Sequence, residues 1–326
     1  MMFGNPLFAQ IIDSALAQSS FPAKPENLYQ PIAYILSLAG KRIRPQLVLL
    51  GADLFGYKNI EAAVPAALAI EYFHNFSLIH DDIMDKAPIR RGKATVHQHW
   101  NDSVAILSGD ALLVKAYEQL SNCPVNTIAP LLKTFNRIAL EVCEGQQLDM
   151  DFELEEQVTE AQYIEMIRLK TSVLLGGALA LGAIIADADV EEREKINAFG
   201  VNLGIAFQLQ DDILDAYGNP DTFGKQVGGD ILVNKKTILH ILLKRVLDAA
   251  DRPKFDALLA LKNEEGDRKV QGMKELYNAY AVRELAEALK EQYMVKAYQY
   301  LADVTVEEGR KTDLYQLADT LMHRAR

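Results

Sequence analysis

The sequence contains few cysteines and few cations. There are only two cysteines, Cys123 and Cys143, and one tryptophan among 326 residues. Two cysteines are too few for a disulfide scaffold or a structural zinc site, so we expect a reducing compartment and buried, unreactive thiols. The 34 Lys and Arg against 45 Asp and Glu give a net charge of −11. A field of that sign repels phosphate backbones and argues against a nucleic-acid-binding protein.

Long hydrophobic runs and export signals are also missing. Residues Met1 to Gln10 carry no basic region followed by an apolar core, so we expect no signal peptide and a cytoplasmic location. The longest uncharged stretch, Thr171 to Ala186, is shorter than the roughly 20 residues that a bilayer requires. We therefore predict a helix buried inside the protein, and no transmembrane segment.

The composition favours helices throughout the chain. Good helix formers dominate, and the alternation typical of strands is scarce. Helix breakers indicate long helices over Val64–Lys86 and Val190–Tyr217, and another that ends at Glu155. Pro22, Pro25 and Pro31 are expected to precede an early helix. Because no linker or repeat divides the sequence, we predict one all-α domain over residues 1–326, a bundle of long helices.

Two aspartate clusters have the same spacing. Asp81, Asp82 and Asp85 form the first, and Asp211, Asp212 and Asp215 form the second. Residues four apart share a helix face, where carboxylates repel one another unless a cation or solvent relieves them. One such cluster is as typical of a solvated helix end as of a site. Two clusters, each interrupting an apolar helix, favour Mg²⁺, which binds carboxylates together with phosphate oxygens.

Basic residues accompany both clusters. Gly40–Pro45 contains three cations in four positions, and Arg90, Arg91 and Lys93 follow the first acidic cluster. The Gly224–Asp230 and Asn234–Thr237 segments follow the second cluster. The glycine-rich segment lacks P-loop spacing, so we interpret it as a flexible flap that carries lysines over the site. A basic run alone is typical of a solvated surface. Beside metal-binding acids, the same run indicates a clamp for a diphosphate.

These motifs together resemble the trans-prenyltransferases, also called polyprenyl synthetases. The resemblance depends on two D-D-x-x-D motifs, G-K-R-x-R-P at Gly40–Pro45 and F-Q-x-Q-D-D at Phe207–Asp212. It implies an all-α barrel of long helices around a central cavity, usually a homodimer. It also implies Mg²⁺, about three ions per site with Mn²⁺ as a substitute. The implied reaction is head-to-tail (1′-4) condensation of isopentenyl diphosphate with an allylic diphosphate.

The resemblance also implies roles for individual residues. The metal ligands and their supporting acids would be Asp81, Asp82, Asp85, Asp211, Asp212 and Asp215. The allylic diphosphate would be bound by Arg90, Lys170, Lys225 and Lys235. Isopentenyl diphosphate would be bound by Gly40, Lys41, Arg44, His74 and Arg91. Thr171 and Gln208 would lie beside the allylic cation, together with Lys170.

The chemistry of ionisation agrees with these roles. Breaking the allylic C–O bond requires neutralisation of the leaving diphosphate, which metals and lysines supply. No protein nucleophile is needed, and no Ser-His-Asp or Cys-His arrangement is evident. Asp149 is interpreted either as a group that orients Lys170 or the metal-bound waters, or as a surface acid. Without the resemblance, His74 would be interpreted as a core histidine. We interpret His80, His97, His99 and Trp100 as structural.

In the family that the sequence resembles, the residues four and five positions before the first motif help to set the floor of the chain pocket and hence the product length. These are Phe76 and Ser77, and they suggest a C15 to C20 product, with geranylgeranyl diphosphate slightly favoured over farnesyl diphosphate. An ideal helix places Phe76 about 140° from Asp81, so its direction rests on the resemblance alone.

Two other functions stay open on sequence alone. A terpene-cyclase-like enzyme would normally carry a different second metal motif, and a non-catalytic subunit of a heteromeric synthase would tend to lose metal acids. Arg324 and Arg326 at the C-terminus are interpreted as parts of a lid.

Overall fold

The computed structural model describes residues 5–218 and 227–322 and is mostly helical. The first helices are α1 (Pro6–Gln18), α2 (Glu26–Ser37), α3 (Ile43–Leu54), α4 (Val64–Met84), α5 (Val96–His99), α6 (Asp102–Ser121) and α7 (Ile128–Leu154). They are followed by α8 (Glu160–Ile167), α9 (Val173–Ile185), α10 (Val190–Tyr217), α11 (Gly229–Leu232) and α12 (Ile238–Val246). The last are α13 (Arg252–Leu259), α14 (Gly266–Ala279), α15 (Val282–Ala302) and α16 (Thr312–Met322). The predicted all-α class is confirmed.

Besides short 3₁₀ turns, a β hairpin and a π-helical turn lie between these helices. A hairpin of β1 (Ile89–Arg90) and β2 (Lys93–Ala94) follows α4, with Ile89 opposite Ala94 and Arg90 opposite Lys93. A π-helical turn, Arg168–Ser172, joins α8 to α9. Both elements contain predicted site residues. Single π-turns are often found at functional sites.

Local sequence signals explain several helix ends. The Asn101 side chain caps α6 by accepting a hydrogen bond from Val104 N at 2.9 Å. Thr159 and Gln162 form a capping box at the start of α8. The predicted long helices over Val64–Lys86 and Val190–Tyr217 are confirmed as α4 and α10. The prediction for Pro31 is wrong, because this residue lies inside α2.

The chain divides into two compact units. The first comprises the chain up to Leu140, Leu174–Ala198 and Leu301–Leu317. Within it, α4 packs against α3 and α6. Gly51 of α3 and Gly182 of α9 permit close helix contact, since a methyl group at Gly51 would lie 2.3 Å from Leu179 O. The prediction of a single domain is not tested by this division.

The second unit comprises Glu141–Val173, Phe199–Tyr300 and the chain from Ala318. Its core contains buried side chains of α8, the end of α10 and helices α12 to α15, among them Leu209, Ile213, Leu242, Phe255 and Tyr277. This core surrounds the end of α10 that carries the second aspartate cluster.

One stretch, Glu160–Ile185, is long and apolar enough to cross a membrane by length and composition. Of the 18 most apolar consecutive residues in this stretch, 83% are buried within the protein. Such burial is typical of a core helix. The prediction that the Thr171 to Ala186 stretch is buried is confirmed for α9, where Ala178, Leu179 and Leu181 are fully buried. Cys123 is buried as expected, but the prediction is wrong for Cys143, which is exposed.

Candidate active site

The first aspartate cluster lies at the C-terminal end of α4, where the helix dipole disfavours negative charge. Asp82 is buried, and its carboxylate accepts hydrogen bonds from Arg90 Nε at 2.8 Å and Arg90 Nη2 at 2.7 Å. Asp81 is half-buried and lies 3.7 Å from the same guanidinium, whereas Asp85 is exposed. Burial raises the pKa of Asp82, and the contact with Arg90 partly offsets this rise. Asp82 therefore holds Arg90, and Asp81 and Asp85 are the more accessible carboxylates of the cluster.

The β hairpin sends its two arginines to different places. Arg91 and Gly92 form the turn with φ values of 52° and 74°, a left-handed conformation that glycine adopts without strain. Arg90 turns to Asp82. Arg91 donates from Nη1 to Leu38 O at 3.3 Å and lies against Gly40. The tight turn therefore separates two adjacent cations, as their different predicted roles require.

The predicted isopentenyl diphosphate ligands come from three segments of the first unit. Gly40 and Lys41 lie on the loop between α2 and α3, and Arg44 lies in the first turn of α3. Arg44 Nη1 is 3.2 Å from Nε2 of His74 on α4. Because a guanidinium only donates, Nε2 is the acceptor, and the neutral imidazole carries its proton on Nδ1. The structure therefore brings Arg44 to His74 and Arg91 to Gly40.

Burial and the charge of Arg44 hold the pKa of His74 well below its usual value, with a further contribution from Arg91. The unfolded chain binds a proton at this histidine near pH 6.5, and the folded chain does not. Stability contributed by His74 is therefore present above that pH and lost as the pH falls through it. When the pH is lowered from 8 to 5, we expect the free energy of unfolding to decrease less in the His74→Gln variant than in the wild type. Urea denaturation at each pH is the measurement. Identical pH dependence in the two proteins would contradict this assignment.

The second cluster, on α10, divides in the same way as the first. Asp212 is buried and accepts hydrogen bonds from the Tyr163 hydroxyl, from Gln208 Nε2 at 3.2 Å and from Ile238 N at 3.3 Å. Burial, together with the charge of Asp230, raises the pKa of Asp212 to about 7. Asp211 and Asp215 are half-buried, and Asp215 accepts a hydrogen bond from Asp230 N at 3.1 Å. The middle acid of each cluster is thus buried, and the flanking acids are more accessible.

Lysines lie beside this second cluster. Lys170 Nζ is 2.6 Å from Asp149 Oδ2, and Lys235 Nζ is 3.5 Å from the same oxygen. Burial alone would raise the pKa of Asp149, but Lys235 and Lys170 lower it overall. Asp149 therefore orients Lys170 rather than lying free on the surface. This contact decides between the two interpretations that the sequence left open.

Two glycines fix the π-turn that carries Lys170 and Thr171. A methyl group at Gly145 of α7 would lie 2.2 Å from Lys170 N. A methyl group at Gly204 of α10 would lie 2.7 Å from the Cα of Ser172. Real side-chain carbons do not approach backbone so closely, so α7 and α10 contact the turn directly only because both residues are glycine.

A cavity of about 240 Å³ opens inside the second unit. It is lined mostly by acidic, basic and other polar side chains, with a few apolar ones. The polar lining residues are Asp149, Tyr163, Lys170, Thr171, Gln208, Asp211, Asp212, Asp215, Asp230 and Lys235. Met166 and Ile167 supply apolar lining. The structure therefore brings together the second aspartate cluster, both described lysines and the two dipolar residues predicted to lie beside an allylic cation.

Some site residues carry no sequence signal, and some predictions fall outside the described chain. Sequence reasoning missed Tyr163, which no motif marks, and did not assign Asp230, although the glycine-rich segment containing it was noted. Lys225, Arg324 and Arg326 lie outside residues 5–218 and 227–322. Within those ranges, no group of three His, Cys, Asp or Glu residues forms a ready metal cage. Mg²⁺ does not need one, because it binds through one or two carboxylates plus substrate phosphate.

Comparison with known proteins identifies the fold and the family. The family model for polyprenyl synthetase matches residues 25–279. The chain belongs to the polyprenyl synthetase family. The chain is 37% identical over 317 residues to the geranylgeranyl diphosphate synthase of Methanosarcina mazei, covering 96% of this chain and 94% of the relative. It is 36% identical over 249 residues to a geranylfarnesyl diphosphate synthase of Natronomonas pharaonis, covering 71% and 73%.

A crystal structure supports the same assignment for the polyprenyl synthetase. A solved geranylgeranyl pyrophosphate synthase superposes with a TM-score of 0.91 at 42% sequence identity, covering 98% of this chain and 97% of that one. The resemblance inferred from the motifs is confirmed. The chain is therefore a prenyltransferase of a metal-dependent family.

Proposed function

We propose that this polyprenyl synthetase catalyses the Mg²⁺-dependent head-to-tail (1′-4) condensation of isopentenyl diphosphate with an allylic diphosphate. The observation that carries the proposal is the cavity of the second unit, where aspartates and lysines lie beside Thr171 and Gln208. Lysines can bind diphosphate oxygens, and Mg²⁺ held by the carboxylates would add further positive charge as the diphosphate leaves. Family membership and the names of the two curated relatives agree with this chemistry.

The donor set fits magnesium. The carboxylates of Asp211 and Asp215 are half-buried and line a cavity. Asp81 is half-buried near the end of α4, and Asp85, directly after α4, is exposed. Such accessible hard oxygen atoms suit Mg²⁺. We propose that Asp81, Asp85 and Asp211 bind the ions, about three per site, and that Asp82, Asp212 and Asp215 support them. Mn²⁺ is the expected substitute. Bound Mg²⁺ would neutralise the negative charge that develops on the departing diphosphate.

The remaining chemistry belongs to the chain's own residues. Lys170 and Lys235, both near Asp149, would hold diphosphate oxygens, and Arg90 would add a third cation after exchanging part of its contact with Asp82. The Thr171 and Gln208 dipoles would face the allylic carbon. The double bond of isopentenyl diphosphate then forms the new C–C bond. The proton lost from that unit goes to the departing diphosphate, so no protein base is required.

Turnover of the purified full chain tests this function. We expect pyrophosphate release and a longer prenyl diphosphate when isopentenyl diphosphate, an allylic primer and Mg²⁺ are all present. Dimethylallyl, geranyl and farnesyl diphosphate are compared as primers in parallel. Omission of either substrate is the control. No consumption of either diphosphate with any primer would contradict the proposal and favour a non-catalytic subunit.

We propose geranylgeranyl diphosphate as the main product. The Methanosarcina relative and the solved structure carry that name. Phe76 would set the pocket depth, together with small Ser77. The Phe76 ring contacts Phe73 at 5.6 Å and His80 at 4.7 Å between ring centroids, and Phe73 in turn contacts Phe135. This aromatic group gives Phe76 a fixed position from which to block chain growth.

Truncation of Phe76 tests the depth of the pocket. We expect Phe76→Ala to shift the products by at least one isoprene unit, toward C25 or longer, because removing the ring opens space beyond the proposed floor. Product chromatography is the measurement. Phe21→Ala removes another half-buried ring, which contacts Tyr72 of α4, and is expected to leave product length unchanged. An unchanged product in Phe76→Ala would remove this residue from the account.

We also propose a homodimer in the cytoplasm. Adjacent helices α6 and α7 expose Leu107, Val114 and Leu140, and Tyr117 joins the two helices through a 2.7 Å hydrogen bond to Asn136 Oδ1. An exposed apolar surface of this kind is typical of an interface. Light scattering on the purified protein tests the dimer.

A further inference from the structure

Arg42 lies between two predicted isopentenyl diphosphate ligands, Lys41 and Arg44, yet its side chain turns into the protein. Its backbone has φ 47° and ψ 37°, a left-handed conformation that non-glycine residues seldom adopt. The side chain is only 9% exposed and forms an ion pair with Glu71 of α4, which is 2% exposed. The sequence alone presents three equivalent cations in four positions, and the structure separates this one from the others.

The Arg42 guanidinium also holds the backbone at the end of α2. Its Nη2 donates to Leu36 O at 2.5 Å and to Leu38 O at 3.0 Å. Leu38 O accepts a second hydrogen bond from Arg91 Nη1 at 3.3 Å. Arg42 thus fixes the position of the Leu38 carbonyl group. The same carbonyl group positions Arg91, a predicted ligand of isopentenyl diphosphate.

Glu71 is itself fixed within α4. Asn75 Nδ2 donates to Glu71 Oε1 at 2.8 Å and to Glu71 O at 2.8 Å. His74 follows Glu71 by three residues, so both project from neighbouring positions of one helix face. Glu71 contacts Arg42, and His74 contacts Arg44. Helix α4 therefore holds the start of α3 at two points, one buried and one at the proposed binding surface.

We propose that Arg42 and Glu71 are positioning residues for isopentenyl diphosphate, acting on the loop from Leu38 to Arg44 and on Arg91 without touching the substrate. This inference rests on the proposed function of the site. A strained backbone conformation persists only where neighbouring contacts hold it in place. At Arg42 these contacts are a buried ion pair and two hydrogen bonds to carbonyl groups. The planar fork of arginine suits three acceptors at once, which a lysine could not satisfy in the same geometry.

Three variants test the positioning role. Glu71→Gln leaves the arginine buried without its counter-charge but keeps an acceptor for Asn75. Arg42→Met removes the fork. The double variant removes both charges, and replacing a buried ion pair by uncharged groups often restores stability. We expect the double variant to recover much of the melting temperature lost in either single variant.

Binding should not recover with stability. We expect all three variants to raise the KM and the calorimetric Kd for isopentenyl diphosphate by roughly 10- to 100-fold, because a displaced loop misplaces its ligands. The KM for the allylic substrate should change by less than about threefold, since that diphosphate uses other residues. Lys311→Met is the matched control. Lys311 is also buried, and it donates to Ala302 O at 2.9 Å, so its loss should lower the melting temperature without changing either KM.

The outcomes distinguish failure of the positioning role from failure of the proposed function. A double variant with restored melting temperature and wild-type affinity for isopentenyl diphosphate would show that the pair is merely structural and would overturn the inference. Equal increases in both KM values would overturn it as well. A wild-type chain that neither binds nor consumes isopentenyl diphosphate would instead contradict the proposed function on which the inference rests.

Discussion

Replacement of Asp81 or Asp211 by alanine is expected to lower kcat by roughly a thousandfold or more while leaving the fold intact. Both carboxylates are half-buried rather than enclosed, so their removal leaves no buried charge without a partner. The proposed metal bridge to the leaving diphosphate would be lost. The measurement is pyrophosphate release at saturating substrates, together with the melting temperature of each variant.

Two control variants separate the loss of metal binding from general effects of removing an acid. Asp13→Ala removes an exposed acid from α1 and should leave turnover unchanged. Asp82→Asn removes the charge opposite Arg90, so it should lower the melting temperature, unlike Asp81→Ala. Turnover near the wild-type rate in Asp81→Ala or Asp211→Ala would contradict the metal assignment for that residue.

The second large effect is expected at Gly145, a residue that does not itself line the cavity. In Gly145→Ala the added methyl group would lie 2.2 Å from Lys170 N, so α7 and the π-turn must separate. That movement displaces Lys170 and Thr171 together. We expect kcat to fall by about a hundredfold, since misplacing catalytic groups by about 1 Å has effects of this size. Steady-state kinetics below the melting temperature of the variant provides the measurement.

A matched variant separates the loss of geometry from the loss of stability. In Gly182→Ala the methyl group would lie 2.1 Å from Val48 O, an equally close approach that does not involve the π-turn. This variant should lose stability and keep its kcat at low temperature. Gly309→Ala has no neighbour within 4 Å and should resemble the wild type in both respects. If Gly145→Ala kept wild-type kcat, the π-turn would not be what positions Lys170.

The fold was predictable where helix breakers and apolar segments agree. Val190–Tyr217 was bounded correctly because an apolar helix ends there at Gly218. Pro31 was misassigned because tertiary burial outweighs the missing N–H: the residue is buried inside α2. The hairpin at Ile89–Ala94 has two residues per strand, too few for a period-two pattern. The π-turn also has no local signature, since it depends on Gly145 and Gly204 from other helices.

The sequence predicts which residue types form the site, but it does not predict which of them are buried and which are accessible. The spacing of Asp211, Asp212 and Asp215 indicates a carboxylate cluster, yet gives no sign that Asp212 turns inward. That direction is set by Tyr163, which is 49 residues away in the chain. Likewise, Arg42 and Arg44 are equivalent in the sequence, and their partners on α4 distinguish them: Glu71 pairs with Arg42, and His74 contacts Arg44. Long-range partners of this kind require the folded structure.

The central claim is that the accessible acids of both motifs bind Mg²⁺ and thereby hold an allylic diphosphate. Calorimetric titration with a bisphosphonate carrying a short alkyl chain tests it most directly, because such a molecule binds like the diphosphate but has no leaving group. We expect tight binding only with Mg²⁺ present, and its loss in both Asp81→Ala and Asp211→Ala. Binding of equal strength without Mg²⁺, or undiminished binding in either variant, would contradict the account.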